Sequence, residues 1–535
     1  MDAGASQHQR STSNDLPSLV SPKPSKPQAQ QAPSPASPKS SKPQAPTTAN
    51  HQDRPIPCAQ LAHFETETRL SETSQPDATP PVNFAGTHVL VVGAGLAGCE
   101  AAWQIAERGG AVTLVEMKPD QMSPAHESKD MAELVCSNSL RGAGLHNAVG
   151  LLKEEMRLLG SLTLRAADAT AVPAGRALAV DRHDFSRFIT EAVHGHPRIQ
   201  VENRVVEEIP DDDTVVLATG PLTASSLAAS LQSLLGDTSL YFYDAIAPTV
   251  YADSIDMSVA FRASRYEEEG EGDYVNLPLS REDYERFVSA LVDADTVPLH
   301  SFEAALYFEG CLPIEEMARR GPQTLSFGPM KPVGLRDPRT GKRPFAVVQL
   351  RHEDRGGILY NLVGFQTKLR ISDQKEILRR LPGLEKAVFA RFGTVHRNTY
   401  VNAPLNLAPN LEVKARNGLF LAGQMAGVEG YVESAALGWL AGISAGCSAS
   451  GQSFPEPPMG SAHAALVGHL INGNPDNFQP MNVNFGLFPP LSDAVVRGPS
   501  GKRKKIPRAD KSRLMAERAI EGVTKYRDIV GGVAS

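Results

Sequence analysis

The apolar run Val89 to Val92 passes directly into a glycine-rich turn, then into the small-residue stretch LAGCEAAWQIAE, and then into a second apolar run that closes on Glu116. This order predicts strand, turn, helix and strand over Thr87 to Glu116. Further on, LHNAVGLLKEEMRLLGSL and RHDFSRFITEAV carry apolar residues at helical spacing. IQVENRVVEEI predicts a strand, and TVVLATG, Thr214 to Gly220, predicts a short buried strand ending on glycine. From about Tyr241 to Tyr400 the period changes. Short alternating stretches such as FAVVQL and ILYNLVGF, separated by turn clusters, predict a mixed α+β unit. The first pattern returns at Asn417 to Gly427, NGLFLAGQMAG, an apolar strand feeding a glycine turn and the helix VESAALGWLAGISAG.

Together these elements predict an α/β fold: a discontinuous, Rossmann-like FAD domain of the two-dinucleotide type, with an inserted α+β domain. The expected boundaries are 86–240 and 401–452 for the two parts of the nucleotide domain, 241–400 for the insertion and 453–535 for a C-terminal helical and basic segment. Gly93, Gly95 and Gly98, with Ala94, Leu96 and Ala97 between them, form G-x-G-x-x-G. Such a turn brings backbone N–H groups and a helix N-terminus against a pyrophosphate. Glu116 follows Gly93 by 23 positions, where a carboxylate accepts hydrogen bonds from the adenosine ribose. The second glycine turn, with Gly423, Gln424, Gly427 and Glu429, is placed to hold the flavin end.

Residues 1–85 hold 14 of the 41 prolines and almost no apolar period, which predicts a disordered extension. Its seven basic residues are matched by seven acidic ones, unlike a transit peptide, and Cys58 within it is expected to be inert. No apolar run is long enough to span a membrane, and Ser434 to Ser450 is broken by Gly and Ser. With no secretory start, the expected location is cytoplasmic. A net charge of -7 means that affinity for a polyanion must come from local patches. Arg497 to Arg518 offers one, with nine Lys and Arg, including Lys502 to Lys505, against Asp510 and Glu517. Lys331, Arg336, Lys342 and Arg343 in the insertion offer another. Each is either a solvated surface or a set of phosphate contacts. The five cysteines are odd in number and lack C-x-x-C, which argues against a disulfide framework, a zinc ribbon and a dithiol centre, and no metal site is expected.

Met117 to Gly144 is too polar and irregular for core structure, and it places Cys136 where a loop presents a side chain. The stretches GAGLAGCEAAW, AELVCSNSLR, YFEGCLPIEEMA, NLVGFQTKL, AGQMAGVEGYVESAALG and FQPMNVNFGLFPP resemble the folate- and FAD-dependent tRNA (uracil-C5) methyltransferases, a family related to GidA. The resemblance spans roughly Thr87 to Arg518. It implies FAD as cofactor, 5,10-methylenetetrahydrofolate as carbon donor, NADH or NADPH as reductant, and tRNA as substrate, with a T-loop uridine converted to 5-methyluridine. A base inside the folded elbow must be extruded to be reached. C5 of uracil is too weak a nucleophile unaided, and addition of a thiolate to C6 places charge at C5, so a reactive cysteine is required. Cys136 and Cys311, flanked by polar and turn residues, are the two that the resemblance makes catalytic, and which attacks first stays open. Cys99 stands where this family often has a small residue such as Ser, and Gln424 where many other flavoproteins place Asp. The competing readings are the related enzymes that install carboxymethylaminomethyl groups at wobble uridine, a small-molecule flavin oxidoreductase, and a catalytically idle nucleotide-binding protein serving as an RNA chaperone. Only some 85 residues follow the flavin helix, which favours the T-loop enzyme over the wobble enzyme, whose C-terminal helical domain is longer.

Overall fold

The computed structural model describes residues 81–236, 239–265, 272–297, 312–491, 495–497 and 503–531. A five-stranded parallel sheet forms the nucleotide half, in the spatial order Leu419–Leu421, Val215–Leu217, His88–Val92, Ala111–Glu116 and Ile199–Asn203. Both faces are covered, which is why its inner strands read as unbroken apolar runs rather than alternating ones. Val89, Val91, Val215, Val216 and Leu217 are all fully buried.

Two helices cross behind the glycine turns, Leu96–Glu107 and Tyr431–Ser450. The second is apolar nearly all round and buried along most of its length, as a core helix must be. Its glycines recur every four residues, and a Cβ at each would strike a neighbour. At Gly438 it would lie 2.2 Å from the Ala97 carbonyl oxygen, at Gly442 2.7 Å from that of Ala101, and at Gly446 2.4 Å from the Phe84 ring. The small-residue pattern thus lets two helix backbones touch. Gly438→Val is expected to cost about 3 kcal/mol or more, because the intruded atoms are backbone and cannot rotate aside. Urea denaturation reads this directly, and an unchanged midpoint would refute it.

The chain leaves this half through Ser239–Ala245 and returns through Val395–Val401, and these two strands pair antiparallel over their full length, from Ser239 opposite Val401 to Ala245 opposite Val395. The expected boundaries at 241 and 400 fall inside this ribbon. Beyond it lies a six-stranded antiparallel sheet in the order Phe261–Arg262, Tyr274–Leu279, Ala346–His352, Leu359–Leu362, Thr249–Tyr251 and Phe389–Arg391. The helix Arg281–Asp293, started by a capping box between Ser280 and Asp283, packs Tyr284, Phe287 and Leu291 into a separate apolar core.

The N-terminal extension ends earlier than residue 85. Phe84 is fully buried in the main core, and the Val82 N–H donates to the Ile529 carbonyl at 3.1 Å. Residues 1–80, with Cys58, lie outside the described residues. The C-terminal helix Arg508–Ile529 is a structural part of the nucleotide half, with Met515, Ala519, Val523 and Tyr526 buried in the same core as Phe84. Lys502 lies outside the described residues, and Arg503–Lys505 pairs as a short strand with Val495–Arg497. Two cations of the basic stretch have protein partners: Arg513 pairs with Glu517 at 2.6 Å and Arg518 donates to the Pro489 carbonyl at 3.0 Å. No helix among the described residues is long and apolar enough to cross a membrane.

Candidate active site

The glycine turn after the first strand is shaped by three separate constraints. Gly93 has φ +98°, and a Cβ there would sit 2.7 Å from the carbonyl oxygen of Ala218, the residue just past the adjacent strand. A Cβ at Gly98 would sit 1.7 Å from the Gly93 carbonyl oxygen, so this glycine closes the turn onto its own helix. Gly95 differs: nothing lies within 4 Å of the Cβ position, and the residue lines an open cleft. No protein neighbour demands glycine at 95. A side chain there would occupy space in front of the helix N-terminus, where a pyrophosphate belongs.

That cleft encloses about 1130 Å³, open solvent included. It is walled by Gly93, Ala94, Gly95, Leu96, Ala97 and Glu116 on one side and by Gly423, Gln424, Tyr431 and Ser434 on the other. The structure thus brings the two glycine turns, more than 300 residues apart in sequence, onto one cavity. Glu116 accepts the Ala94 N–H at 2.6 Å and the Lys118 N–H at 3.0 Å. A carboxylate offers about four acceptor positions, so the two remaining fit a ribose diol. Gly98 supports the wall from behind. Gly427 and Glu429 do not line the cleft: Gly427, at φ +104°, packs against Phe478, and Glu429 accepts a hydrogen bond from Gln424 at 2.8 Å. Their part is to fix the second turn.

The Cys136 loop lies against the same cavity. Tyr431, the first residue of the long helix, lines the cleft and directs its hydroxyl at the loop. The hydroxyl oxygen accepts the Cys136 N–H at 2.9 Å and the Ser137 N–H at 3.2 Å, and the Cys136 sulfur lies 3.0 Å away. A hydroxyl has two lone pairs and one hydrogen. With both lone pairs taken by backbone N–H groups, the hydrogen points at sulfur, and the sulfur is the acceptor. Burial holds the Tyr431 hydroxyl well above the usual tyrosine range, so it keeps that hydrogen at neutral pH. Hydrogen bonding to the charged form favours it, and the arrangement suits a thiolate.

Cys99 and Cys447 are built for the opposite. Both are 1% exposed; burial pushes the Cys447 thiol up to about 11 and the Cys99 thiol higher still. Cys311 lies outside the described residues, so the two cysteines cannot be placed relative to one another. Two groups that contact the Cys136 loop escaped the sequence reading. Tyr431 was readable only as the residue that follows Gly430 at a helix start, and Arg351, described below, only as a charge inside an apolar strand. The basic residues Lys331, Arg336, Lys342 and Arg343 lie in the segment before the strand Ala346–His352; the last three are exposed and Lys331 is half-buried.

The sequence model described as Glucose inhibited division protein A matches residues 88–453. The methylenetetrahydrofolate–tRNA-(uracil-5-)-methyltransferase TrmFO of Syntrophotalea carbinolica is 55% identical over 450 residues, covering 84% of this chain and 96% of that protein. The protein of the same name from Geobacter sulfurreducens is 56% identical over 432 residues, covering 81% and 97%. Among solved structures, Aquifex aeolicus GidA in its form II crystal superposes with a TM-score of 0.60 at 17% identity, covering 84% of this chain and 74% of that one. At that identity the superposition concerns the fold alone.

Proposed function

We infer that this chain, which belongs to the methylenetetrahydrofolate–tRNA-(uracil-5-)-methyltransferase family and more widely to the glucose-inhibited division protein A family, methylates C5 of a uracil in tRNA. Methylenetetrahydrofolate is the carbon donor and FAD the cofactor. The observation that carries the site assignment is the placement of Tyr431, which lines the nucleotide cleft while its hydroxyl contacts the Cys136 sulfur. Thiol chemistry and the dinucleotide cavity therefore share one side chain.

In this reading Gly93 to Gly98 and Glu116 hold the adenosine and pyrophosphate half of FAD. Gly423, Gln424 and the N-terminus of the helix Tyr431–Ser450 hold the flavin end. The fit rests on Gly95, whose missing side chain serves no protein neighbour. Bound there, FAD in its reduced form would supply the two electrons that take a carbon at the formaldehyde level to a methyl group. The chain's own residues do the rest. The Cys136 thiolate bonds to C6 of the uracil, and the displaced ring electrons make C5 the nucleophile toward the donor carbon. Once the carbon is attached, the C5 proton and the tetrahydrofolate nitrogen leave to give an exocyclic methylene; addition of a hydride equivalent to that carbon then expels the sulfur from C6, restoring the ring and the thiolate. Cys311 is the second thiol in this proposal. NADH or NADPH regenerates the reduced flavin, and the enzyme works in the cytoplasm, where tRNA and folate are at hand.

The reading is tested by incubating the protein with unmodified tRNA, methylenetetrahydrofolate and NAD(P)H and analysing nucleosides for 5-methyluridine; absence of that nucleoside refutes it. A second measurement addresses Tyr431. In Tyr431→Phe the Cys136 and Ser137 N–H groups lose their acceptor and the sulfur its donor. Methylation is expected to fall about tenfold or more, the size of a one-unit rise in thiol pKa, with the loss greatest at low pH. A variant with the parental rate and pH profile would remove Tyr431 from the chemistry.

A further inference from the structure

Tyr431 holds one side of the Cys136 loop, and the insertion domain holds the other. Three consecutive residues at the end of the strand Ala346–His352 and just beyond it take part. Arg351 donates through Nε to Asn138 Oδ1 at 2.9 Å and through Nη2 to Ser137 Oγ at 2.8 Å. The His352 carbonyl accepts from Asn138 Nδ2 at 2.8 Å. Glu353 accepts from Arg182 Nε at 2.5 Å, and Arg182 in turn donates to the carbonyls of Leu134, at 2.6 Å, and Val135, at 3.3 Å. The backbone on both sides of Cys136 is therefore gripped from one strand end.

The two guanidiniums are not equivalent. Arg182 has its charge answered by Glu353. Arg351 is 6% exposed, and its partners among the described residues, Ser137 and Asn138, are neutral. A buried cation with neutral partners is costly, and a neutral hydrogen-bonding side chain could tether the loop without that cost. A nearby anion would offset it. Burial holds the Arg351 guanidinium below its ordinary range; the Glu353 carboxylate acts against that shift most, followed by Tyr274 and, after the opposing charge of Arg182, the Cys136 sulfur.

We propose that Arg351 is a positioning residue for Cys136, a buried cation from the insertion domain that fixes the Cys136–Asn138 loop and favours the thiolate over the thiol. The proposal rests on the reading of Cys136 as a reacting group. The titratable and charged groups around the thiol are Tyr431 from the long helix, Arg182 from the helix Arg182–Gly195, Arg351 and Glu353 from the insertion, and Arg391 farther out. Glu353 is committed to Arg182. Glu133, three residues before the thiol, is committed to Lys118 and to the N–H groups of Glu127 and Ser128. Among the described residues, Arg351 is thus the cation hydrogen-bonded to the Cys136 loop that has no carboxylate in a salt bridge with it. One consequence is that the thiolate is supported only while the insertion is seated on the nucleotide half.

The test uses the full-length holoenzyme without tRNA. Iodoacetamide alkylation is timed from pH 5.5 to 9, and the peptide containing Cys136 is quantified by mass spectrometry. The wild-type midpoint should lie clearly below the ordinary thiol value of about 8.5. Arg351→Gln should raise it by about one unit, slowing alkylation about tenfold at pH 7, and Arg351→Lys should restore most of the loss. Ser137→Ala removes a tether but keeps the cation and should leave the midpoint low. A wild-type midpoint at or above 8.5 overturns the proposal without any variant. So does an Arg351→Gln midpoint equal to wild type, or a rise in Ser137→Ala as large as that in Arg351→Gln. Because no turnover is measured, these outcomes stay separate from whether Cys136 takes part in methylation.

Discussion

Replacing Cys136 with Ala is expected to reduce 5-methyluridine formation by at least about 10³-fold, while FAD stays bound and tRNA affinity stays near the parental value. In the proposed reaction the sulfur adds to C6 and takes no part in docking, so the loss should fall on the chemical step. Folding should survive the change. Cys136 is only half-buried, and Tyr431 keeps both backbone N–H groups that its oxygen accepts. Single-turnover methylation and a tRNA-binding titration on the same preparation separate the two effects. Normal methylation by Cys136→Ala would remove this cysteine from the mechanism, and weakened tRNA binding would show that the loop serves docking as well.

The second large effect distinguishes two glycines of one motif. Gly95→Val is expected to give folded, colourless protein, because a Cβ there enters open cleft and meets no protein atom within 4 Å. Gly98→Val should fail to fold, since even a Cβ there would lie 1.7 Å from the Gly93 carbonyl oxygen. Flavin absorbance together with a thermal melt decides the matter. A Gly95→Val protein with full flavin would sink the placement of the pyrophosphate. A Gly98→Val protein with the parental melting temperature would sink the account of the turn.

The legible parts of this fold were those in which local pattern and tertiary role coincide. The strand, turn and helix around Gly93 were readable because a parallel sheet buried on both faces leaves apolar runs, and because glycine marks turns that no other residue can make. The helix of small residues was readable as a helix, but its reason was not: the glycine spacing at 438, 442 and 446 matters only because another helix lies against it. Tyr431 and Arg351 were missed for a related cause. Each acts at Cys136 from a distant stretch of sequence, so no local period carries the signal. The strand AVVQLRH did hold a clue, since Gln349 and Arg351 interrupt an apolar strand and are buried all the same. Buried polar groups need partners, which points to a junction without saying which one. Phe84 shows the converse error, an aromatic anchor hidden at the end of a proline-rich stretch.

The ribbon formed by Ser239–Ala245 and Val395–Val401 has a meaning for how such a chain can change. Where two ends already lie side by side, the length of chain between them adds little closure entropy, which grows only with its logarithm. To the parallel sheet, everything beyond Ala245 and before Val395 is therefore the tip of a hairpin. Material can be gained or lost there without disturbing the pairing of Val215–Leu217 with Leu419–Leu421, which rejoins the sheet after the excursion. A lineage could exchange the distal part for a new recognition module and keep its nucleotide half intact. The limits on that freedom are the contacts by which the insertion reaches back, among them Tyr274 to the Ala174 carbonyl, Asp273 to the Gly175 N–H, the Arg355 N–H to Asp181 and the strand end at the cysteine loop, which any replacement would have to supply again.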